Sequence, residues 1–209
     1  SLIIFGFIIL FSFGVYGIQK LKVENSFVNY FKRNTEIYKG MKLIDDKLGG
    51  TTPLDIIIQF NDKKYVDDLD EDFLDLGFDY NLEDYWFTKE KMDLIKNVHD
   101  YIDSFEYTGK VLSLASIIRV AEELNSNEEF DNLELSVIYK KLPLNLKSQI
   151  IDPYLSIENN QARITVRMID TNATLERNAF ISEINDKFKS DFSSDNAHIF
   201  TTGILILYN

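Results

Sequence analysis

An α+β fold is predicted for these 209 residues, and three features predict it. A helix-and-strand unit occupies 25–60, a strand–helix–strand set occupies 153–204, and a stretch of different composition separates them. Asn25 or Ser26 can accept the backbone N–H groups that open a helix. Phe27, Phe31, Tyr38, Met41, Ile44 and Leu48 then recur at three- and four-residue steps, apart from one double step. That spacing predicts a helix over 26–48 with one apolar stripe facing a core. Gly49 and Gly50 can take the left-handed conformation that ends it. Beyond Pro53, Leu54–Phe60 holds three successive isoleucines, a β-branched run suited to a buried strand.

Ahead of this unit, residues 1–19 carry no charged side chain, and Lys20 is the first. A bilayer-spanning helix needs about 20 apolar residues, with a range of roughly 17–25. Residues 1–18 are therefore expected to be the end of a first transmembrane helix, continuing upstream. A signal peptide would carry a basic stretch before the run and a small-residue cleavage site after it. A buried helix of a soluble protein is the plainer alternative, but three Gly and four Phe fit lipid better. Leu21–Glu24 alternates apolar and polar, as a short strand leaving the membrane would.

From Asn61 to Asp84 ten acids face only Lys63 and Lys64, which leaves −8 of the net charge of −12 in one loop. Ordered structure resumes at Tyr85–Phe87. Thr88 is expected to cap a helix lined by Met92, Ile95, Val98 and Ile102. Val111–Leu114 reads as a short extended piece, Ser116 as the cap of a helix over 117–124, and 133–139 and 144–151 as helical. Tyr154–Ile157, a turn at Asn159-Asn160 and Ala162–Ile169 make a hairpin, because Asn tolerates the positive φ such turns need. Ile164, Val166 and Met168 alternate with Arg163, Thr165 and Arg167, the pattern of a half-exposed antiparallel strand. A helix over 175–188 turns Phe180, Ile181, Ile184 and Phe188 inward. His198–Thr202 is the last strand, and it runs into a second apolar segment. This order is that of a ferredoxin-like split βαβ layer. One sheet from 20–60 and 153–204 is expected, with helices 26–48 and 173–189 on the same face. The divisions are 1–18, the first spanning helix; 19–60, the first half of the domain; 61–152, an acidic loop and largely helical insertion; and 153–209, the second half.

The net charge of −12 argues against nucleic acid, whose phosphates select Lys and Arg, and against adsorption on anionic lipid by charge. Without cysteine there is no disulfide framework, thiolate metal site or thiol nucleophile. Asp68, Asp70 and Asp72 stand at positions one, three and five of a calcium loop. Phe73 replaces its glycine, however, and Asp79 its bidentate glutamate, so no metal is expected there. His99 is expected off the apolar stripe of its helix with no neighbouring ligand at helical spacing, and His198 in a strand. Asn172–Thr174 matches the glycosylation triplet. No catalytic, cofactor-binding or metal residues are assigned, and substrate-binding residues are left unassigned.

The runs TEIYKGMKLIDDKLGGTTPLDIIIQF, DYWFTKEKMDLIKNVHDYIDSFEYTGKVLSLASIIRVAEELN, YKKLPLNLKSQIIDPYLSIENNQARITVRMIDTNATLERN and TTGILILYN resemble bacterial exporters of the resistance–nodulation–division superfamily. The nearest group is the predicted exporters akin to the large mycobacterial membrane proteins and hopanoid transporters. The resemblance implies a periplasmic, porter-type loop between the first two membrane helices of a proton-driven secondary exporter. It implies a bacterial inner-membrane location and hydrophobic or lipid-like substrates, with no enzymatic activity and no cofactor. The implied partners are the membrane, the remaining transmembrane helices, a second periplasmic loop of the same protein and the substrate; self-association is left open. A membrane-anchored ligand-binding or sensor ectodomain, or a protein-translocation accessory, is the alternative.

Overall fold

The computed structural model describes residues 2–19, 26–61, 86–194 and 196–203. Along Thr52–Phe60 (β1) the side chains alternate, so Leu54, Ile56, Ile58 and Phe60 are buried on one face while Pro53, Asp55, Ile57 and Gln59 take the other. β1 is flanked on both sides by antiparallel neighbours: Gln161–Met168 (β4) with Ile56 opposite Ile164, and Ala197–Thr202 (β5) with Ile58 opposite Ile199. Thr108–Leu112 (β2) adds to the far side of β4, and the short Leu155–Ser156 (β3) pairs with β4 near its start. The order is β2-β4-β1-β5, antiparallel throughout. The fold class is thus α+β, as the sequence predicts.

Two helices cover one face of this sheet. Lys89–Asp103 (α3) connects β1 to β2, and a helix over Arg177–Lys187 (α7) connects β4 to β5. Met92, Ile95, Val98 and Ile102 of α3 join Phe180, Ile181 and Ile184 of α7 and the inward residues of β1, β4 and β5 in one core. Between β2 and β4 lie Leu114–Leu124 (α4), Asn132–Lys141 (α5), a single turn Leu144–Leu146 (α6), and π and 3-10 turns over 147–154.

The helix expected over 26–48 is a correction. It is two pieces, a 3-10 turn Val28–Tyr30 and the helix Glu36–Lys47 (α2), which starts where the Thr35 hydroxyl accepts from the Tyr38 amide at 3.3 Å. Its stripe does not enter the core: Ile44 is 40% exposed and Leu48 60%. The helix that packs beside α7 is α3, whose four apolar residues are at most 2% exposed. The stretch 61–152 therefore contributes a helix and a strand to the layer. Periodicity marks a helix as amphipathic but does not say which helix the sheet receives. Ser113, two residues inside the expected extended piece, caps α4 in place of Ser116; the two form a reciprocal capping box.

The charge-free run forms a helix, Leu2–Gln19 (α1), of 18 residues. At 1.5 Å per residue it rises about 27 Å, short of the roughly 30 Å hydrocarbon layer. Among the described residues no helix is long and apolar enough to cross a membrane. The strand expected at 21–24, most of the acidic loop and the apolar segment after Gly203 lie outside the described residues.

Two buried carboxylates tie the N-terminal segment to the sheet. Asp45, the one buried residue of α2, accepts from the Thr51 amide (3.0 Å) and hydroxyl (2.8 Å), the Asp170 amide (2.9 Å), and the Thr171 amide (2.8 Å) and hydroxyl (2.7 Å). Asp170 accepts from Ser26 Oγ (2.6 Å), the Val28 amide (3.1 Å), Thr52 Oγ1 (2.9 Å) and the Arg177 guanidinium (2.5 Å). Two glycines allow the backbones to close in. A Cβ on Gly50 (φ 97°) would lie 2.2 Å from the Met168 carbonyl oxygen, and one on Gly109 would lie 2.5 Å from Gly49.

Three stability measurements follow from this arrangement. Gly50→Ala is expected to cost more than about 1 kcal/mol in urea unfolding, because the new Cβ meets backbone at a positive φ. Asp170→Ala is expected to cost about 3–5 kcal/mol, the usual price of breaking a buried ion pair. Burial pushes the Asp45 carboxyl up, but the donors on Thr171, Thr51 and Asp170 together outweigh it and hold the carboxyl below its ordinary value. Its stabilising contribution is therefore complete above the unfolded-state pKa and fades as pH falls through the lower folded value. Asp45→Asn should flatten the acid limb of the stability profile; an unchanged limb would contradict the assignment.

Candidate ligand cavity

Asn160 occupies the β3–β4 turn at φ 51°, a conformation Asn tolerates. Its side chain organises one end of the sheet. Nδ2 donates to the Phe60 carbonyl at 3.0 Å, while Oδ1 accepts from Trp86 Nε1 at 2.8 Å and Lys91 Nζ at 3.3 Å. Trp86 meets Phe60 edge-on at 5.7 Å, and the Lys91 ammonium stands 4.9 Å from the Trp86 ring and 5.2 Å from Phe60. The aromatic contacts continue from Trp86 to Phe87 (5.3 Å) and from Phe87 to Tyr139, stacked at 4.3 Å. The helical segment is thus joined to the sheet through rings.

Next to this cluster, between the first turns of α3 and the chain entering β5, is a cavity of about 570 Å³. Its apolar wall is Phe60, Leu94, Phe192 and Ala197. Its polar wall includes Lys91, Asn97 and Asn196, with Lys89, Glu90 and Asp93 contributing charges of both signs. Lys89 pairs with Glu129, and with Asp93 at 3.8 Å. A volume in the range of small-molecule sites, with one apolar wall and a few polar groups, suits an amphipathic ligand. A second, smaller space of about 50 Å³ among Phe87, Ile118, Phe130 and Leu142 is wholly apolar in character and lies within the helical segment.

His99 is buried, and its Nδ1 lies 2.9 Å from Ser113 Oγ. The same hydroxyl accepts from the Ala115 amide at 3.1 Å, so the pair ties α3 to the start of α4. Both members are buried, with Ser113 wholly enclosed. Burial first, then the Arg119 charge, pulls the His99 pKa below its ordinary value, against smaller upward effects of Asp100 and Asp103. His198 is exposed on β5. Asn172 Oδ1 accepts from the Thr174 amide (2.8 Å) and hydroxyl (2.7 Å), closing a local turn. Asp68, Asp70, Asp72 and Asp79 lie outside the described residues. Among the described residues no group of three or more His, Asp or Glu is placed to hold a metal ion.

The cavity residues come from three separated stretches, so spacing along the chain gave no sign of them. Lys91 carries the one visible signal, a lysine one step before the apolar series of its own helix. No protein-family model, no curated protein and no solved structure matches the chain.

An NMR titration of the His99 ring should give a pKa below that of free histidine. His99 then stays neutral to lower pH in the folded than in the unfolded chain, so its contribution is complete above the unfolded-state pKa and is lost as pH falls through the folded value. A normal or raised pKa would contradict the buried contact with Ser113.

Proposed function

We propose that this chain is the extracytoplasmic, ligand-contacting domain of a membrane exporter, with a ferredoxin-like porter-type layer and the cavity beside Phe60 as a stopping place for hydrophobic or amphipathic substrate. The observation that carries the membrane part is α1. Ile4, Phe7 and Phe11 lie on one side of it, Ile9, Phe13 and Tyr16 on the other, and all six are exposed. A helix that is apolar all round is stable only when something apolar surrounds it, and lipid is the simplest such surrounding. Support for the layer comes from its connectivity. β1–α3–β2 and β4–α7–β5 are two strand–helix–strand units whose strands interleave in the order β2-β4-β1-β5, which is the arrangement of a split βαβ fold.

Transport is driven, in this reading, by membrane helices outside these 209 residues, and the domain itself binds and passes on. The mixed walls of the cavity favour a ligand with an apolar body and a polar end, bound weakly enough to leave. The cavity lies within one domain, and this favours a second reading, a membrane-anchored binding or sensor ectodomain that does not transport.

Two experiments separate these readings. Titration of the chain with the fluorescent apolar probe anilinonaphthalene sulfonate should give one saturable site. Asn97→Trp, on the exposed rim, should weaken it at least tenfold without lowering the melting temperature; undiminished binding would remove the cavity from the proposal. Gradient-driven efflux by the complete protein in vesicles, slowed by the same substitution, supports the exporter. Probe binding without efflux supports the anchored binding domain.

A further inference from the structure

We infer that α2 and the turn before it are a membrane-surface contact, a basic amphipathic face that lies on anionic lipid headgroups. The inference rests on the membrane attachment proposed above and adds the lipid chemistry that the attachment meets. Ile37, Met41, Ile44 and Leu48 are spaced four, three and four residues apart, so they share one side of α2. Ile37 and Leu48 are well exposed, Ile44 is 40% exposed and Met41 is half-buried. This stripe cannot roll inward. Asp45, held by Thr51, Asp170 and Thr171, fixes the rotation of the helix and leaves the stripe outside. Phe27 and Tyr30, in the turn ahead, are exposed too; aromatic side chains of this kind are enriched at membrane–water interfaces.

The charges around the stripe run against the rest of the chain. The segment 26–48 carries Lys32, Arg33, Lys39, Lys42 and Lys47, whereas its solvent-facing acids are Glu36 and Asp46, since Asp45 is enclosed. The net charge of −12 opposes adsorption of the chain as a whole, but this locally basic face complements an anionic surface at the short range over which charges act in salt. Position agrees with charge. The seven peptide steps from Gln19, the end of α1, to Ser26 span at most about 25 Å, so a bilayer holding α1 is within reach of this face. Helices with an apolar side, flanking Lys and Arg and aromatic neighbours lie in the headgroup plane with the apolar side immersed. A second copy is the poorer occupant, because a two-fold pairing would set two basic faces against each other.

The test uses the 209-residue chain with vesicles of phosphatidylcholine alone and of phosphatidylcholine with about one-third phosphatidylglycerol, measured by co-sedimentation. A lysine or arginine near an anionic surface adds roughly fivefold to partitioning. The wild-type chain should prefer the anionic vesicles by roughly a hundredfold at low salt, and the preference should shrink in 0.5 M salt, about a 4 Å screening length. Lys32→Gln with Arg33→Gln and Lys47→Gln should remove most of the preference, roughly a hundredfold, while leaving binding to neutral vesicles in place. Ile37→Ser with Leu48→Ser should weaken both at an unchanged melting temperature. Equal binding to the two vesicle types, unaffected by either variant, overturns the α2 contact and leaves the attachment through α1 standing. Absence of binding to both overturns the attachment as well. A dimer in analytical ultracentrifugation that Ile37→Ser with Leu48→Ser dissociates assigns the stripe to a second copy and overturns the inference.

Discussion

Asp45 and Asp170 lie side by side where β1 begins and β4 ends, and neither sees solvent. A carboxylate in that position is costly unless its lone pairs are filled. Here donors from Ser26, Val28, Thr51, Thr52, Thr171 and Arg177 fill them. They come from the lead-in turn, the start of β1, the loop after β4 and the first turn of α7. Any one segment that moves away strands the others' donors as well as the charge. The arrangement therefore works as a clamp: it sets where the lead-in segment lies, which side of α2 faces the protein and how α7 leaves the sheet.

The clamp also explains why α2 is amphipathic yet not part of the core. Its polar contact, rather than its apolar stripe, points inward. The sheet's covered face is fully taken by α3 and α7, whose Val98, Ile102, Phe180 and Ile184 are packed against Ile56, Ile58 and Ile164. What remains outward on α1 and α2 is apolar surface next to cations, while the cavity lies at the sheet end where Phe60 and Asn160 meet. One end of the layer is thus organised by buried charge and the other by aromatic rings around a buried ammonium. The buried carboxylates and the aromatic cluster thus lie at opposite ends of β1, separated by its nine residues.

Much of the layer was legible in the chain. The three isoleucines of β1, the alternation of Ile164, Val166 and Met168, the Asn160 turn and the inward set of α7 are all where periodicity and turn chemistry put them. The stop at Gly49-Gly50 is there too, at φ 86° and 97°. Three things were not legible. The first three residues of β2, Thr108–Lys110, precede the extended piece read at Val111 and include Gly and Lys, too few for a period to register. The choice between α2 and α3 as the sheet's helix depends on a competition that no local pattern reports. The cavity gathers residues from 60 to 197, and only folding brings them together. Asp45 could have been found: it stands seven residues after Tyr38, an acid on the half-buried side of an amphipathic helix.

Amide hydrogen exchange measures the clamp most directly. The Val28 amide donates to Asp170 and the Thr171 amide to Asp45, so a carboxylate, not a helix or strand hydrogen bond, protects each. If the two carboxylates hold the lead-in segment to the sheet, both amides will exchange as slowly as those of Ile56 and Ile58 in β1, and Asp170→Asn will release Val28 by orders of magnitude while β1 stays protected. Fast exchange of Val28 and Thr171 in the wild-type chain, with β1 protected, would contradict the clamp and with it the fixed outward face of α2.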